Sequence, residues 1–186
     1  MDIPLVTARL VLRRLQLSDC AGILAYRADP QVARFQGWEP RSLEEMHEFV
    51  KAQLALQPNM PDTWFQLAIT LRPGGELIGD CGLHFPPDGP HQAELGITVA
   101  PAYQRQGYAA EALTVVLDYL FLELDKHRAY ASVDPDNIAS RRLLARLGMR
   151  QEAHFRESLW FKGRWADDVI YALLQHEWRA QQSSST

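Results

Sequence analysis

The residues whose types and spacing most plainly offer chemistry are Gln104-Arg105-Gln106-Gly107-Tyr108-Ala109, between a strand pattern and a helix pattern. A glycine there lets the backbone turn tightly and lets a ligand approach it. The first amides of the following helix have no internal partners and carry the positive end of its dipole. Such a place binds phosphate, and Arg105 adds charge. No Gly-Lys-Ser/Thr follows and the three-glycine spacing is absent, so neither a nucleotide P-loop nor a dinucleotide fingerprint is present. Metal chemistry is not expected. The histidines (47, 84, 91, 127, 154 and 176) show no His-x-x-x-His spacing. Cys20 and Cys81 are too few for a four-ligand zinc site or a disulfide framework, and they read as reduced core thiols.

A strand must lead into this loop and a helix must leave it. Glu94–Val99 reads as the strand. The helix runs from Gly107 to about Leu124, with Ala109, Ala112, Leu113, Val116, Leu120 and Phe121 on its apolar side. Arg128–Val133 is the next strand, so 94–133 predicts a parallel pair with a right-handed crossover. Asn137–Leu147 is a second helix, closed by Gly148. Upstream, Arg9–Arg14 is a first strand, and Ser18 caps a helix to about Ala28 with Ile23 and Leu24 inward. Asp29-Pro30 stops it. Ser42-Leu43-Glu44-Glu45 is a capping box opening a helix with a stripe of Leu43, Met46, Phe49, Val50 and Leu54. Trp64–Leu71 and Leu77–Phe85 form a hairpin through residues 72–76, and a second turn at 86–90 leads into Glu94, an antiparallel meander. Arg156–Phe161 and Val169–Leu174 are closing strands around Lys162-Gly163. This order predicts an α/β (α+β) mixed sheet with helices on its faces.

The 186 residues are 47% apolar and 23% charged, an ordinary globular composition for one domain over 1–180, with 181–186 as a polar tail. Nineteen Lys and Arg against 23 Asp and Glu give a net charge of −4, without the basic excess of a nucleic-acid binder. The first residues lack a signal-peptide pattern, and no run approaches the ~20 apolar residues of a membrane span. A cytoplasmic protein is expected.

The 104–109 segment resembles the Gln/Arg-x-x-Gly-x-Gly/Ala pyrophosphate loop of the GNAT superfamily of acyl-CoA-dependent N-acyltransferases. Glu94-Leu95-Gly96-Ile97-Thr98-Val99 is similar to the strand before that loop, Asn137-Ile138-Ala139-Ser140 to the opening of the next helix, and Leu147-Gly148-Met149 to its close. Thr7–Arg13 and Asp167–Leu173 look like the first and last strands of the RimJ/RimL branch, the ribosomal-protein N-terminal acetyltransferases and their relatives. The resemblance spans about residues 7–178. It implies a mostly antiparallel central sheet with a splayed parallel pair. It also implies an acetyl-CoA site between the strands ending near Val99 and Val133. The pantetheine arm would pair with the backbone of Ile97, Thr98 and Val99. The pyrophosphate would meet Gln104, Arg105, Gln106, Gly107, Tyr108 and Ala109. Asn137 and Ser140 would face the arm or the sulfur. Arg141, Arg142, Arg146 and Arg150 form a basic cluster along one helix, either a solvated face or one from which Arg141 or Arg142 touches the 3′-phosphate.

The activity so implied is acetyl transfer from acetyl-CoA to a primary amine by direct attack. Some family members carry a glutamate base near Glu94, and a carboxylate among apolar neighbours can have a raised pKa; Asp80, His84 and Glu157 are rivals. RimL-like relatives use a serine at the position of Ser140 as the acid. Other relatives use a tyrosine, and Tyr103, Tyr108, Tyr130 and Tyr171 keep that route open, as does catalysis by proximity alone. Arg142 and Arg146 are four apart and should be exposed together. Trp38 and Trp160, with Trp64 and Trp165 behind them, are candidates for the acceptor pocket. The expected partners are acetyl-CoA and an amine acceptor, a small molecule or a protein N-terminus, with no nucleic acid, no membrane and no metal; a homodimer is allowed. The alternative is a non-catalytic acyl-CoA-binding or partner-binding domain on the same scaffold.

Overall fold

Alternation along three strands decides which side of the sheet each residue faces. In the computed structural model, which describes residues 3–183, β3 (Thr63–Leu71), β4 (Leu77–Phe85) and β5 (Gln92–Val99) form the expected antiparallel meander. Phe65, Leu83 and Leu95 are neighbours in one row, and Leu67 and Cys81 in the next. All are buried, in the main core against α4 (Tyr108–Asp118) through Ala112, Leu113 and Val116. On the opposite face the rows read Trp64–His84–Glu94, Gln66–Gly82–Gly96 and Ala68–Asp80–Thr98. There α1 (Cys20–Arg27) and α3 (Leu43–Ala55) pack on the last row, where Ile23, Met46, Val50 and Ala68 make a second, smaller core. Burying an apolar side chain of this size contributes about 1.5–3 kcal/mol, so each face anchors its own helices.

The remaining strands are β1 (Leu5–Val6), β2 (Leu10–Arg14), β6 (Arg128–Val133), β7 (Arg150–Phe161) and β8 (Arg164–Leu174). The sheet order is β1-β2-β3-β4-β5-β6-β8-β7. Every neighbouring pair is antiparallel except β5 and β6, the parallel pair expected across 94–133. That pairing stops at Glu94–Tyr130, although β5 runs on to Val99 and β6 to Val133. The two strands therefore splay beyond that point. α4, continued by a wider turn over Tyr119–Glu123, packs on one side, with α5 (Ile138–Arg146) after β6.

Several local expectations change. The N-cap of the first helix is Asp19, not Ser18, and its side chain does not bond the helix amides: the carboxylate accepts from the Gln16 amide at 2.8 Å, closing the 3-10 turn before the helix, and from Arg13 Nη1 and Nη2. Asp29-Pro30 ends that helix and also opens another, α2 (Pro30–Ala33), where the Asp29 side chain accepts from Gln31 N. Ser42 caps α3 as expected, yet Glu45 reaches back to the Arg41 amide. Leu43 and Leu54 point to solvent, and Gln53 is buried instead because it bonds the backbone of Trp64 and Gln66. β7 and β8 are far longer than expected, since hairpin pairing carries them through polar residues. A last helix, α6 (Gln175–Ser183), buries Trp178, whose indole donates to Asp118. Residues 181–183 of the expected tail are thus helical, and 184–186 lie outside the described residues. Cys20 and Cys81 are buried free thiols, as read.

Candidate active site

The two glycines of the middle row, Gly82 and Gly96, are direct register partners. With no side chains to fill it, the sheet surface there is the floor of a cavity of about 450 Å³. Phe35 and Trp38 from the connection after α2, Phe49 from α3 and Trp64 from β3 wall it on one side. On the other side it passes through the β5–β6 gap to Leu113 of α4 and to Ser140, Leu143 and Leu144 of α5. The splay converts two neighbouring strands into a passage through the sheet. Parallel strands that diverge leave backbone amides and carbonyls facing an open slot, where an extended ligand can pair.

At one end of β5 lies the glycine loop. Arg105 and Gly107 have φ of +61° and +83°. Gly107 is the N-cap of α4, with no side chain accepting from the helix amides. Glu111 N is the first to find a helical partner, Gly107 O at 3.1 Å, so the amides of residues 108–110 precede the helical ladder. The loop is held from outside. Arg9 donates to Glu111 at 2.6 Å and to the Gln106 carbonyl at 3.1 Å, and its guanidinium lies 4.5 Å from the Tyr108 ring centroid. Thr7 and the Arg9 amide also donate to Glu111. Gln104 bonds the Val99 carbonyl at 2.9 Å, tying the loop to the end of β5. This brace from the turn between β1 and β2 has no signal in the sequence beyond a charged pair about a hundred residues apart.

The polar groups divide into three places. Glu94 is half-buried in the row beside the floor. Its carboxylate is 3.6 Å from His84 Nδ1 and interacts with Tyr130. Burial raises the Glu94 pKa; His84 opposes that and the Asp168 charge adds to it. The His84 ring stacks on Trp64 with centroids 5.0 Å apart. Asp80, in the row on the far side of the floor, is 1% exposed and accepts from Tyr26 at 2.6 Å, and from Arg27 and Gln66. Its oxygens are spent, which removes it as a rival base. Ser140 lines the cavity, and its backbone amide bonds Asn137 Oδ1 at 3.1 Å, so the cap does not use its hydroxyl.

Ile97, Thr98, Asn137 and Ser140 thus meet at the cavity with Trp38. Other expected residues lie elsewhere. Trp160 is 62% exposed near the tip of the β7–β8 hairpin, edge-on to Trp165 at 5.4 Å, because hairpin pairing projects both past the sheet. Trp64 takes the wall instead. Glu157 sits at a β7 irregularity, its amide bound to Asp167. Arg141 donates to the Pro135 carbonyl at 3.0 Å and approaches the Tyr171 hydroxyl at 3.4 Å. Arg142 and Arg146 are exposed, as expected. None of the four candidate tyrosines lines the cavity, and neither does Glu94, with which Tyr130 interacts. Sequence reasoning missed Arg27, Gln66 and Ser132, whose hydroxyl bonds Asp168 at 2.7 Å. Among the described residues no group of three His, Cys, Asp or Glu could hold a metal ion, and no helix is long and apolar enough to cross a membrane.

Comparison with known proteins agrees with this architecture. Residues 9–150 match the acetyltransferase (GNAT) domain family. The chain is 31% identical to the uncharacterized N-acetyltransferase YnaD of Bacillus subtilis, over 94% of this chain and 98% of that one. It is 35% identical to the [ribosomal protein uS5]-alanine N-acetyltransferase of Escherichia coli, over 47% of this chain and 45% of that one. Among solved structures, a GNAT-family acetyltransferase from Bacillus anthracis superposes with a TM-score of 0.83 at 26% identity, covering 93% of this chain and 99% of that one.

Proposed function

The chain belongs to the acetyltransferase (GNAT) domain family, and from that premise we propose that it moves the acetyl group of acetyl-CoA to a primary amine in the passage between β5 and β6. The observation that carries this reading is the cavity itself: a glycine floor, an open slot between diverging strands, and a phosphate-type loop at the end of the same strand. The site fits the co-substrate. The uncapped amides of 108–110, with Gln104, Arg105, Gln106 and Gly107, hold the pyrophosphate. The backbone of Ile97, Thr98 and Val99 pairs with the arm, and Asn137 and Ser140 stand beside the thioester. Arg141 braces the turn that presents Asn137 rather than reaching a phosphate. Residues 1–180 work as one domain, in the cytoplasm, without metal, membrane or nucleic acid.

Acetyl-CoA supplies an activated thioester. The chain's own residues must align the amine, remove its proton and assist the leaving sulfur. An amine is mostly protonated at neutral pH, and Glu94 is the base that takes its proton, through water because the carboxylate stands one row from the floor. Burial keeps that carboxylate from being too weak a base. The Ser140 hydroxyl bonds the sulfur as charge develops there, a neutral hydrogen bond contributing ~1 kcal/mol net. Holding both reactants in one slot supplies much of the remaining acceleration.

The direct test is release of free CoA by the purified protein with a panel of primary amines, with the acetylated product identified by mass. Transfer to at least one amine is expected. Tight acetyl-CoA binding by calorimetry with no transfer to any amine would instead make the chain a non-catalytic acyl-CoA-binding domain.

A further inference from the structure

We propose that the acceptor is a small monoamine on an aromatic body, an arylalkylamine, seated between Trp38 and Trp64 above the glycine floor; this rests on the reading of the cavity as the active site. The mouth of the cavity is aromatic. Phe35, Trp38, Phe49 and Trp64 all line it. Trp38 is held from behind by Phe49, ring centroids 4.4 Å apart, and Trp64 by His84 at 5.0 Å. Trp64 is still 44% exposed, a large apolar surface that an aromatic ligand would cover.

The charged groups on that side already have partners. Asp80 takes three donors, and Arg27 is neutralised by it. The groove adjoining the cavity at Gly37 and Trp38 contains Glu39, paired with Lys162, and Glu45, which accepts from the Arg41 amide. The Arg27 guanidinium lies 5.4 Å from the Trp38 ring centroid, so a second cation placed there meets like charge. The other lining carboxylate, Asp134, accepts from the Asp136 amide at 2.8 Å and stands 3.9 Å from Arg164. A polyamine would have to desolvate its extra ammonium groups against carboxylates that already have partners, which is costly. One cationic nitrogen can be served by Glu94; the rest of the acceptor meets rings. A cavity of about 450 Å³ that the thioester must share suits a small body better than a peptide chain.

The reaction forms the amide N–C bond and breaks the thioester C–S bond. The proton lost by the acceptor nitrogen goes to Glu94 and on to solvent, and the departing thiolate accepts a hydrogen bond from the Ser140 hydroxyl and takes its proton from solvent.

The test compares 2-phenylethylamine, propylamine, spermidine and an alanine-starting tetrapeptide. Two readouts are taken: kcat/KM for transfer, and calorimetric binding of each amine to the protein saturated with CoA. 2-Phenylethylamine should exceed spermidine and the peptide by about tenfold or more in both. Trp64→Ala should cost 2-phenylethylamine about tenfold and propylamine less, and Trp64→Phe should restore most of that loss. Preference for spermidine or the peptide in both readouts would overturn the proposal while leaving the acetyltransferase reading intact. Equal losses for both amines in Trp64→Ala would overturn it as well. Binding of CoA with no transfer to any amine would remove the reading beneath it.

Discussion

Gly82 and Gly96 face each other across β4 and β5, and the space above them is kept open for different reasons. A Cβ on Gly82 would come within 2.8 Å of the Gln66 side-chain oxygen and 3.0 Å of Trp64. A Cβ on Gly96 would meet nothing within 4 Å. Gly82 is therefore fixed by packing, and Gly96 by the emptiness it leaves. The first belongs to the fold; the second has a reason only if something enters the cavity.

Gly107→Val places a β-branched side chain at φ +83°, where such residues are strained, and its Cβ would sit 3.4 Å from the Arg9 guanidinium. Stability should fall by about 1–3 kcal/mol. Acetyl-CoA binding by calorimetry should weaken about tenfold or more, because the helix amides lose their access. A folded variant binding as tightly as the parent would remove the loop from the site.

Glu111→Gln tests the brace behind the loop. Burial pushes the Glu111 carboxyl up, but donation by Thr7 and by the Arg9 amide and guanidinium more than offsets this, so its pKa lies below the ordinary value. A depressed carboxyl contributes stability that is full above the unfolded pKa, ~4.3, and is lost as pH falls through the folded pKa. The parent should melt higher than Glu111→Gln at pH 7, by about 1–2 kcal/mol after allowance for solvent screening. The two melting curves should converge as pH falls through the depressed pKa of the folded state. A gap that persists unchanged at low pH would show the carboxylate charge to be irrelevant.

Much of the candidate site's geometry is legible in the sequence because it is local. Gly107 announces its turn by residue type, and 94–133 announces a parallel pair by its strand–helix–strand order. Trp160 misled because a tryptophan beside a turn carries the same signal whether it faces a pocket or solvent; only the length of the β7–β8 pairing decides. α6 was missed because its few apolar residues are spaced among glutamines, and Trp178 is buried by contact rather than by pattern. The Arg27–Asp80 pair and the Arg9–Glu111 brace join residues 53 and 102 positions apart. No periodicity reports such contacts, and they decide which carboxylates near the site remain free.

The His84–Glu94 contact sets the pH profile. Glu94 must be ionised to accept a proton, so kcat/KM should fall as pH drops through its raised pKa. Glu94→Gln should lose most near neutral pH and recover towards the amine's own pKa. His84→Phe keeps a ring to stack on Trp64 but removes the group that opposes burial, leaving Tyr130 and Asp168 as the neighbours. The acid limb should move to higher pH, and His84→Asn, which retains a donor, should move it less. A limb unmoved by His84→Phe but abolished by Glu94→Gln would leave Glu94 the base acting alone.

Transfer above the glycine floor of the passage depends on Gly96 staying bare, and Gly96→Val probes that dependence. The new side chain has room in the fold, and valine suits a strand better than glycine. Thermal unfolding and kcat/KM for acetyl transfer, measured together, should therefore part company. Melting temperature should hold or rise, while kcat/KM falls about a hundredfold as the methyls fill the floor where thioester and amine must meet. A Gly96→Val protein as stable as its parent and as active would mean that transfer occurs somewhere other than above this floor.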